Sequence, residues 1–427
     1  MESDGGRPCP HCGQRLTEDD RFVVWCAACD WNVRGGNEDD EGRDGPFDAF
    51  RRRLSRAYGE ELFAKMTSER PPRPGRGAAY VGAYAIAGFV HLLTLAVAGA
   101  GVWLLVAGWR AIIPAVLGVL LLGLAWLMRP RLGRVPRHDV RLQRADAPAL
   151  YALLDEVADV LGAPRADVVV VDGAFNASVH VAGLRRRKVL TIGLGLWEVL
   201  TPQQRVAVLG HEFGHFVNGD TSETLFIGSA QRTLVEWYVL LRPQDDSSGL
   251  GLVQSAVRLF MFVPTSAVLL ILHVLAHLTL RAGQQAEYLA DDLAARAGST
   301  DAARDVLDVL LLGDAVDFWL DRQSVMAGTV HRATRGAGRE PGEALWERLK
   351  EYVASIPAHE LERRRRLSAL TAHAEDKTHP PTHLRRAALE RREHHPAAIV
   401  PDVARNKEVD AALDPARRRL GREVLRA

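Results

Sequence analysis

The sequence predicts a predominantly helical α+β chain in three parts: a small cysteine-held module, an apolar helical hairpin, and a larger helical domain enclosing a small β-sheet. Three observations carry this. All four cysteines, Cys9, Cys12, Cys26 and Cys29, fall at the N-terminus. Ala78 to Trp109 and Ala111 to Met128 contain no Asp, Glu, Lys or Arg. Beyond Ala147, apolar residues at helical spacing alternate with short valine-rich runs.

At 427 residues, 47% hydrophobic and 25% charged, the chain is long enough for two or three folded units. A net charge of +1 gives no overall attraction to nucleic acid. No cysteine remains to staple the later domains, which excludes a disulfide-scaffolded secreted protein. The start, MESDGGRPCPHC, lacks a basic stretch followed by an apolar run, so no cleavable signal peptide is expected and the first residues stay in the cytoplasm.

Within residues 1–36, Cys9-x2-Cys12 and Cys26-x2-Cys29 flank a strand-like Phe22-Val23-Val24-Trp25. A single C-x2-C could be a redox pair, but two pairs bring four thiolates into a tetrahedron around one structural zinc ion, and so short a segment buries too little to fold without metal. The module is read as a zinc ribbon, with His11 exposed and not a fifth ligand. Residues 37–77 form a linker, acidic over Asn37 to Gly45 and rich in proline and arginine over Glu69 to Gly77. Within it, Phe47 to Met66, with Phe50, Leu54, Leu62 and Phe63, reads either as a basic amphipathic helix at a membrane surface or as a helix packed on a neighbour.

Residues 78–128 make the hairpin. Each apolar run can cross a hydrocarbon core of about 30 Å, and only Arg110, between Gly108 and Pro114, separates them. Arg70, Arg73 and Arg76 precede the hairpin, and Arg129, Arg131, Arg134, Arg137 and Arg141 follow it. The positive-inside rule puts both flanks in the cytoplasm, which implies a multi-pass protein of the cell (inner) membrane.

The main domain is expected over residues 138–400, followed by a charged tail over 401–427. It opens with a helix from Ala147 to Leu161, then strands over Asp167 to Asp172, Phe175 to Val181 and Lys188 to Ile192. Thr201-Pro202-Gln203-Gln204 has the signature of a helix start, with an N-cap threonine, proline at the first helical position and glutamine three residues after the cap. The helix it opens contains His211-Glu212-Phe213-Gly214-His215. Spacing of four sets the two imidazoles one turn apart on one face, where both can bind one zinc ion. Zinc acidifies water, and Glu212 beside it can act as general base, then pass the proton to a leaving amine. A catalytic zinc keeps three protein ligands and one open position. Glu287 and Asp291, again four apart, supply the third ligand and a partner that fixes the tautomer of a ligand histidine. Two zinc ions per chain are therefore expected, one catalytic and one structural.

These motifs resemble the integral-membrane zinc metallopeptidases that include the heat-shock protease HtpX and the CAAX prenyl endopeptidases. The resemblance runs from about Val168 to Gly298. It rests on Phe175-Asn176-Ala177, where the family has an Asn-Ala pair on a strand beside the active site, on HEFGHFVNGD, and on EYLADDLAARAG. Thr378-His379-Pro380-Pro381, followed by Arg385 and Arg386, is similar too. It implies a zincin-type metallopeptidase domain of the gluzincin kind, an N-terminal membrane hairpin, Glu287 as third ligand, and substrate binding beside Asn176 and Ala177. Two departures stand out. Gln284 holds the place of an arginine three residues before the ligand glutamate, the nearest arginine being Arg281, and the ribbon is an addition.

Since His215 and Glu287 must meet at one ion, Thr224 to Leu241 and Val253 to Leu280 either both span or form an amphipathic hairpin that does not. The resemblance implies spanning, and Pro243 to Gly251 between them carries no positive charge. Thr224 to Leu241 carries Gln231, Arg232 and Glu236, an expensive set in lipid unless buried. His273 and His277 repeat the four-residue spacing but lie too far from Glu287 to share its ion, so a packed or pore-facing pair is expected. Arg363 to Arg366 reads as a solvated helix face, and His379 or an adjacent arginine as the oxyanion stabiliser.

The expected function is endoproteolysis at the cytoplasmic membrane face. Its substrates, by resemblance, are misfolded or membrane-associated polypeptides in quality control. The alternatives are site-specific peptide processing, and a catalytically silent membrane adaptor whose ribbon recruits an unknown partner.

Overall fold

The computed structural model describes residues 6–35, 58–68, 77–130, 140–183, 185–242, 251–330, 341–375 and 379–426. Phe50, Leu54, the flanking arginines at 70, 73, 76, 131, 134 and 137, the 243–250 loop and Thr378 lie outside the described residues.

In the ribbon, Cys9 Sγ and Cys29 Sγ lie 3.7 Å apart and Cys12 Sγ and Cys26 Sγ 3.5 Å apart. The edge of a tetrahedral zinc–thiolate site is about 3.8 Å. His11 is exposed. The run from Phe22 to Trp25 joins no strand ladder; a bridge between Pro8 and Arg15 is the pairing present.

Residues 58–66 form helix α1. The membrane-surface reading of this segment gives way to its alternative, because Met66 is 0% exposed and packs with Phe63, Tyr288 and Ala388. Helices α2 (Ala78–Ala107) and α3 (Ile112–Met128) make the hairpin. They cross where Gly101 meets Gly118: a Cβ on either would sit 3.0 or 2.9 Å from the other's carbonyl oxygen, so only glycine permits this approach.

Strands β1 (Val140–Leu142), β2 (Val168–Asp172), β3 (Ala177–Ala182) and β4 (Arg187–Gly193) form one sheet in the order β1-β2-β4-β3. The β2 and β4 strands are parallel, with Val169 opposite Leu190, and the outer pairs are antiparallel. Strand β1 was not expected. The buried Tyr151 explains its place, since its hydroxyl donates to Leu142 O at 2.8 Å and accepts from Val169 N at 3.0 Å. Tyr151 belongs to helix α4 (Pro148–Leu161), which ends at Gly162 in the left-handed conformation.

After the short α5 (Leu194–Trp197), helix α6 (Pro202–Asn218) starts with the expected capping box: Gln204 N donates to Thr201 Oγ1 and Thr201 N to Gln204 Oε1. Gly219, at φ +83°, ends α6 and lets the chain turn into α7 (Asp220–Leu241). Helix α8 (Gly251–Gly298) is a single helix of 48 residues, about 72 Å long at 1.5 Å per residue.

The seam joining α2, α7 and α8 is apolar, with Ala83, Ala87, Val90, Ala230, Leu234 and Leu275 buried. The outer surface is apolar too, through Leu95, Trp103, Ile112, Leu259, Phe260 and Val263. Such a surface needs an apolar partner. Ala78–Ala107 and Arg258–Gly298 are long and apolar enough to cross a membrane, and Ile112–Met128 is a shorter apolar helix. Two expectations change here. Arg232 and Glu236 are exposed on α7, so the burial that would make a span by this helix inexpensive is not met. His273 and His277 are also exposed, so of the packed and pore-facing alternatives the packed one falls, and His273 Nδ1 bonds Leu269 O of its own helix at 2.7 Å.

The rest is helical: α9 (Thr300–Leu310), α10 (Gly313–Val330), α11 (Pro341–Ala354), α12 (Ala358–Glu375), α13 (Thr382–Arg391) and α14 (Val403–Val424). The last corrects the expected charged tail. Val409, Leu413, Ala416 and Leu420 form a helical stripe buried in the same core as Leu150, Leu154, Phe213 and Trp346. Its charged residues contribute as well. Arg417 reaches Glu198 at 2.6 Å, Asp414 at 2.8 Å and Asp410 at 3.0 Å, while Arg205 of α6 reaches Asp410 at 2.9 Å.

The arginine run also departs from a solvated face. Glu360 is 0% exposed and accepts from Arg363 and Arg364, while Arg365 reaches Asp308 and Arg366 reaches the ribbon.

Candidate active site

Helices α6 and α8 pack face to face through small residues. A Cβ on Gly214 would lie 2.9 Å from Ala290 Cα, and one on Gly210 would lie 3.0 Å from Ala294 Cα. At this separation the histidines of α6 reach the carboxylates of α8. His211 Nε2 and His215 Nε2 are 3.3 Å apart, and each is 3.6 Å from an oxygen of Glu287. The edge of a tetrahedron of nitrogens around zinc is about 3.3 Å, from Zn–N bonds of about 2.0–2.1 Å, so the three side chains fit one ion. Glu287 is buried, and its Oε2 faces His211 Nε2 and the guanidinium of Arg385.

Asp291 takes the supporting place. Its Oδ1 lies 3.1 Å from His211 Nδ1, which leaves Nε2 as the ring's ligand atom. Burial alone would push the Asp291 carboxyl up. The Arg385 guanidinium, with hydrogen bonds from Arg385 and His211, instead holds it down to about 2. Burial likewise opposes a charge on His211, but Asp291 and Glu287 outweigh it and raise its pKa to about 10. The pair of carboxylates is thus arranged to attract a cation.

Arg385 was legible only as a residue following the His-Pro element, and its role here was missed. It donates to Asp291 from Nε at 2.8 Å and from Nη2 at 2.6 Å, with Nη1 3.2 Å from Glu287 Oε2. Gln284, which replaces the family's arginine, is buried with Oε1 unpartnered, and Arg281 stacks on Tyr58 with Cζ 4.6 Å from the ring centroid. The guanidinium beside the glutamate comes from α13.

His211, Glu212, His215, Glu287, Asp291, Asn176, Ala177 and His379 all line one cleft of ≈ 540 Å³. His379 is half exposed, its Nδ1 3.0 Å from Glu287 Oε1. Asn176 turns its Oδ1 to Ala177 N. One wall is apolar, formed by Ala303, Val306, Leu307 and Leu310 of α9, which carried no recognisable signal in the sequence. The four cysteines form a second, separate cluster, and among the described residues these two groups could hold a metal ion.

A helical domain with an H-E-x-x-H helix against a glutamate helix at the end of a long apolar segment defines a metallopeptidase class. The family profile described as "Peptidase family M48" matches residues 144–393, and the chain belongs to that family. Curated relatives carry the description "Protease HtpX homolog". That of Syntrophobacter fumaroxidans is 27% identical over 171 residues, covering 36% of this chain and 55% of the relative. That of Pyrobaculum calidifontis is 32% identical over 160 residues, covering 36% and 44%. That of Persephonella marina is 24% identical over 131 residues, covering 29% and 46%. The chain thus spans about half the length of the curated relatives it matches. No solved structure matches it.

Proposed function

We propose that this chain is a zinc-dependent membrane endopeptidase. The observation that carries the reading is the convergence of His211, His215 and Glu287 to tetrahedral-edge distances in a cleft that Glu212 also lines. Zinc held there supplies Lewis acidity, polarising a carbonyl and bringing the pKa of a water toward neutrality.

The protein's own groups supply the rest. Glu212 takes the proton of the attacking water and delivers it to the leaving nitrogen. Asp291 fixes the His211 tautomer, and Arg385 holds Asp291 and Glu287 in place. His379, at the rim, is the candidate to stabilise the developing oxyanion. Substrate is an extended polypeptide. Strand β3 lies at the sheet's edge next to the cleft, so a peptide can pair with its backbone near Ala177. The apolar wall of α9 would receive a hydrophobic side chain, a preference suited to misfolded or membrane-associated proteins in quality control.

Helices α2 and α3 and the apolar part of α8 are assigned to the bilayer, because their outer surfaces are apolar and lipid is the solvent such a surface requires, with α7 packed against them along the apolar seam. The ribbon and the cleft are assigned to the cytoplasmic face.

The test is cleavage of an unfolded protein by the purified chain and by Glu212→Gln. The amide keeps the side chain's shape and cannot accept the proton, so zinc content should hold while turnover drops by at least about 100-fold. Turnover at the parent rate by Glu212→Gln would remove this mechanism.

A further inference from the structure

The N-terminal ribbon belongs to no part of the chemistry, and its surface is already engaged. Arg363 of α12 is 7% exposed and donates to Val33 O at 2.8 Å. Arg366 donates from Nη1 to Ala27 O and to Asp30 Oδ1, both at 2.6 Å, and its Cζ sits 5.1 Å from the Trp25 ring centroid. From the ribbon side, Arg21 donates to Ser355 O at 3.2 Å, just before α12. Charged donors meet backbone carbonyls at fixed turns of the ribbon, which is a shape the ribbon presents only when folded.

The same arginine run grips the cleft wall with its other members. Arg365 makes a bidentate pair with Asp308 of α9 at 2.8 and 2.8 Å, and Arg364 donates to Leu311 O at the end of α9, at 3.1 Å. Asp308 also faces Arg386 Nε at 3.2 Å. Glu360, fully buried, neutralises Arg363 and Arg364 together and so ties the ribbon-facing and wall-facing arginines into one unit. Ala303, Val306, Leu307 and Leu310 of α9 line the cleft.

We infer that the ribbon is an intramolecular clamp: its partner is α12 of the same chain, and through the arginine run of residues 363–366 it holds α9 as a firm wall of the substrate cleft. The inference rests on reading that cleft as the polypeptide site. A module this small depends on its metal to fold, so loss of zinc from the four cysteines would release α12, loosen α9 and weaken substrate binding while leaving the His-His-Glu site loaded.

Amide hydrogen exchange on the full-length chain in detergent micelles tests this. Three variants are compared with the parent: Arg363→Ala/Arg366→Ala, Cys26→Ser/Cys29→Ser, and the milder Asp30→Asn, which suits the left-handed backbone there (φ 59°). Exchange of backbone amides 302–311 should accelerate by about fivefold or more in the first two, and less in the third, the scale of a typical coupling between sites. Zinc should stay at two per chain in the arginine variant and fall to one in the cysteine variant. KM for an unfolded polypeptide should rise about fivefold, with kcat changed less. Unchanged exchange over 302–311 in a variant whose 6–35 segment exchanges freely would overturn the clamp, showing an independent appendage. A parent that binds zinc and does not cleave would overturn the peptidase reading instead, with the exchange result standing alone.

Discussion

Arg385 is the side chain on which the site's electrostatics turn. It lies buried against two carboxylates that a metal ion would otherwise neutralise alone. Arg385→Leu leaves Asp291 and Glu287 without their guanidinium, a loss of about 3–5 kcal/mol for a broken buried pair. We predict a lower melting temperature for this variant, and a larger drop in chelator than in excess zinc, because a cation at Glu287 substitutes for part of the missing charge. Equal drops under both conditions would place the effect of Arg385 in packing. Asp291→Asn, which keeps the shape and loses the charge behind His211, should weaken zinc affinity by about 10- to 100-fold, and Glu287→Ala by much more. A competing-chelator titration reads both, and an Asp291→Asn chain that loses the ion while Glu287→Ala keeps it reverses the two roles. His211, Glu212 and His215, and separately Glu287 and Asp291, were legible as candidates because each set lies within about one helical turn on one face, while the joining of the two sets at one ion rested on the resemblance. The pairing of Arg385 with Asp291 spans 94 positions, and no local pattern encodes it.

Among the elements, α6 and α8 show how small residues position chemistry. Gly214 is not needed for an unusual backbone angle. It is needed because Ala290 Cα stands 2.9 Å from where a Cβ would be. Gly214→Ala pushes α8 away from α6, and overpacking of this kind costs about 1–3 kcal/mol. Zinc affinity and activity should fall together with stability, whereas Thr201→Ala, which removes the helix cap far from the ion, should cost about 1 kcal/mol and leave zinc affinity unchanged. Thermal melts beside zinc titrations separate the two cases. The capping box and the strands after Asp167 were readable from turn chemistry and valine runs. Strand β1 was not, since three residues have too little periodicity to register and its place depends on a tyrosine hydroxyl from α4. In α14 the apolar stripe was present in the sequence, but the density of arginine and glutamate around it reads as a solvated tail until Glu198 and Asp410 are seen to receive Arg417. Deleting residues 403–427 should therefore leave the domain insoluble or melting at a much lower temperature. A truncated chain that keeps its zinc and its melting point would return these residues to the status of a tail.

At the scale of the molecule, one continuous helix joins the apolar bundle to the candidate metal site, since α8 carries Leu259 and Phe260 near one end and Glu287 and Asp291 toward the other. This coupling was not legible, because an apolar stretch and an acidic pair read as separate segments when only composition is compared. It constrains the proposed topology nonetheless. His215 precedes α7, Glu287 ends the apolar part of α8, and both reach one site, so an even number of crossings separates them and, if α8 spans, α7 must return the chain. The first hairpin does the same for α2 and α3. The proposed cytoplasmic side rests on charge: Arg129, stacked on Trp126 at 4.1 Å, and Arg141 stand on the outer flank, against the lone Arg110 over Trp109 at the tip, and positive residues favour the cytoplasm. In intact cells, a membrane-impermeant thiol reagent should label a cysteine placed at Arg110 and miss one placed at the exposed Arg165 until the cells are permeabilised. The four native cysteines should stay unlabelled in intact cells and serve as the internal control. Labelling at Arg165 with protection at Arg110 would invert the protein, moving both thiolate and histidine sites to the outer face and with them the pool of polypeptides the cleft can meet.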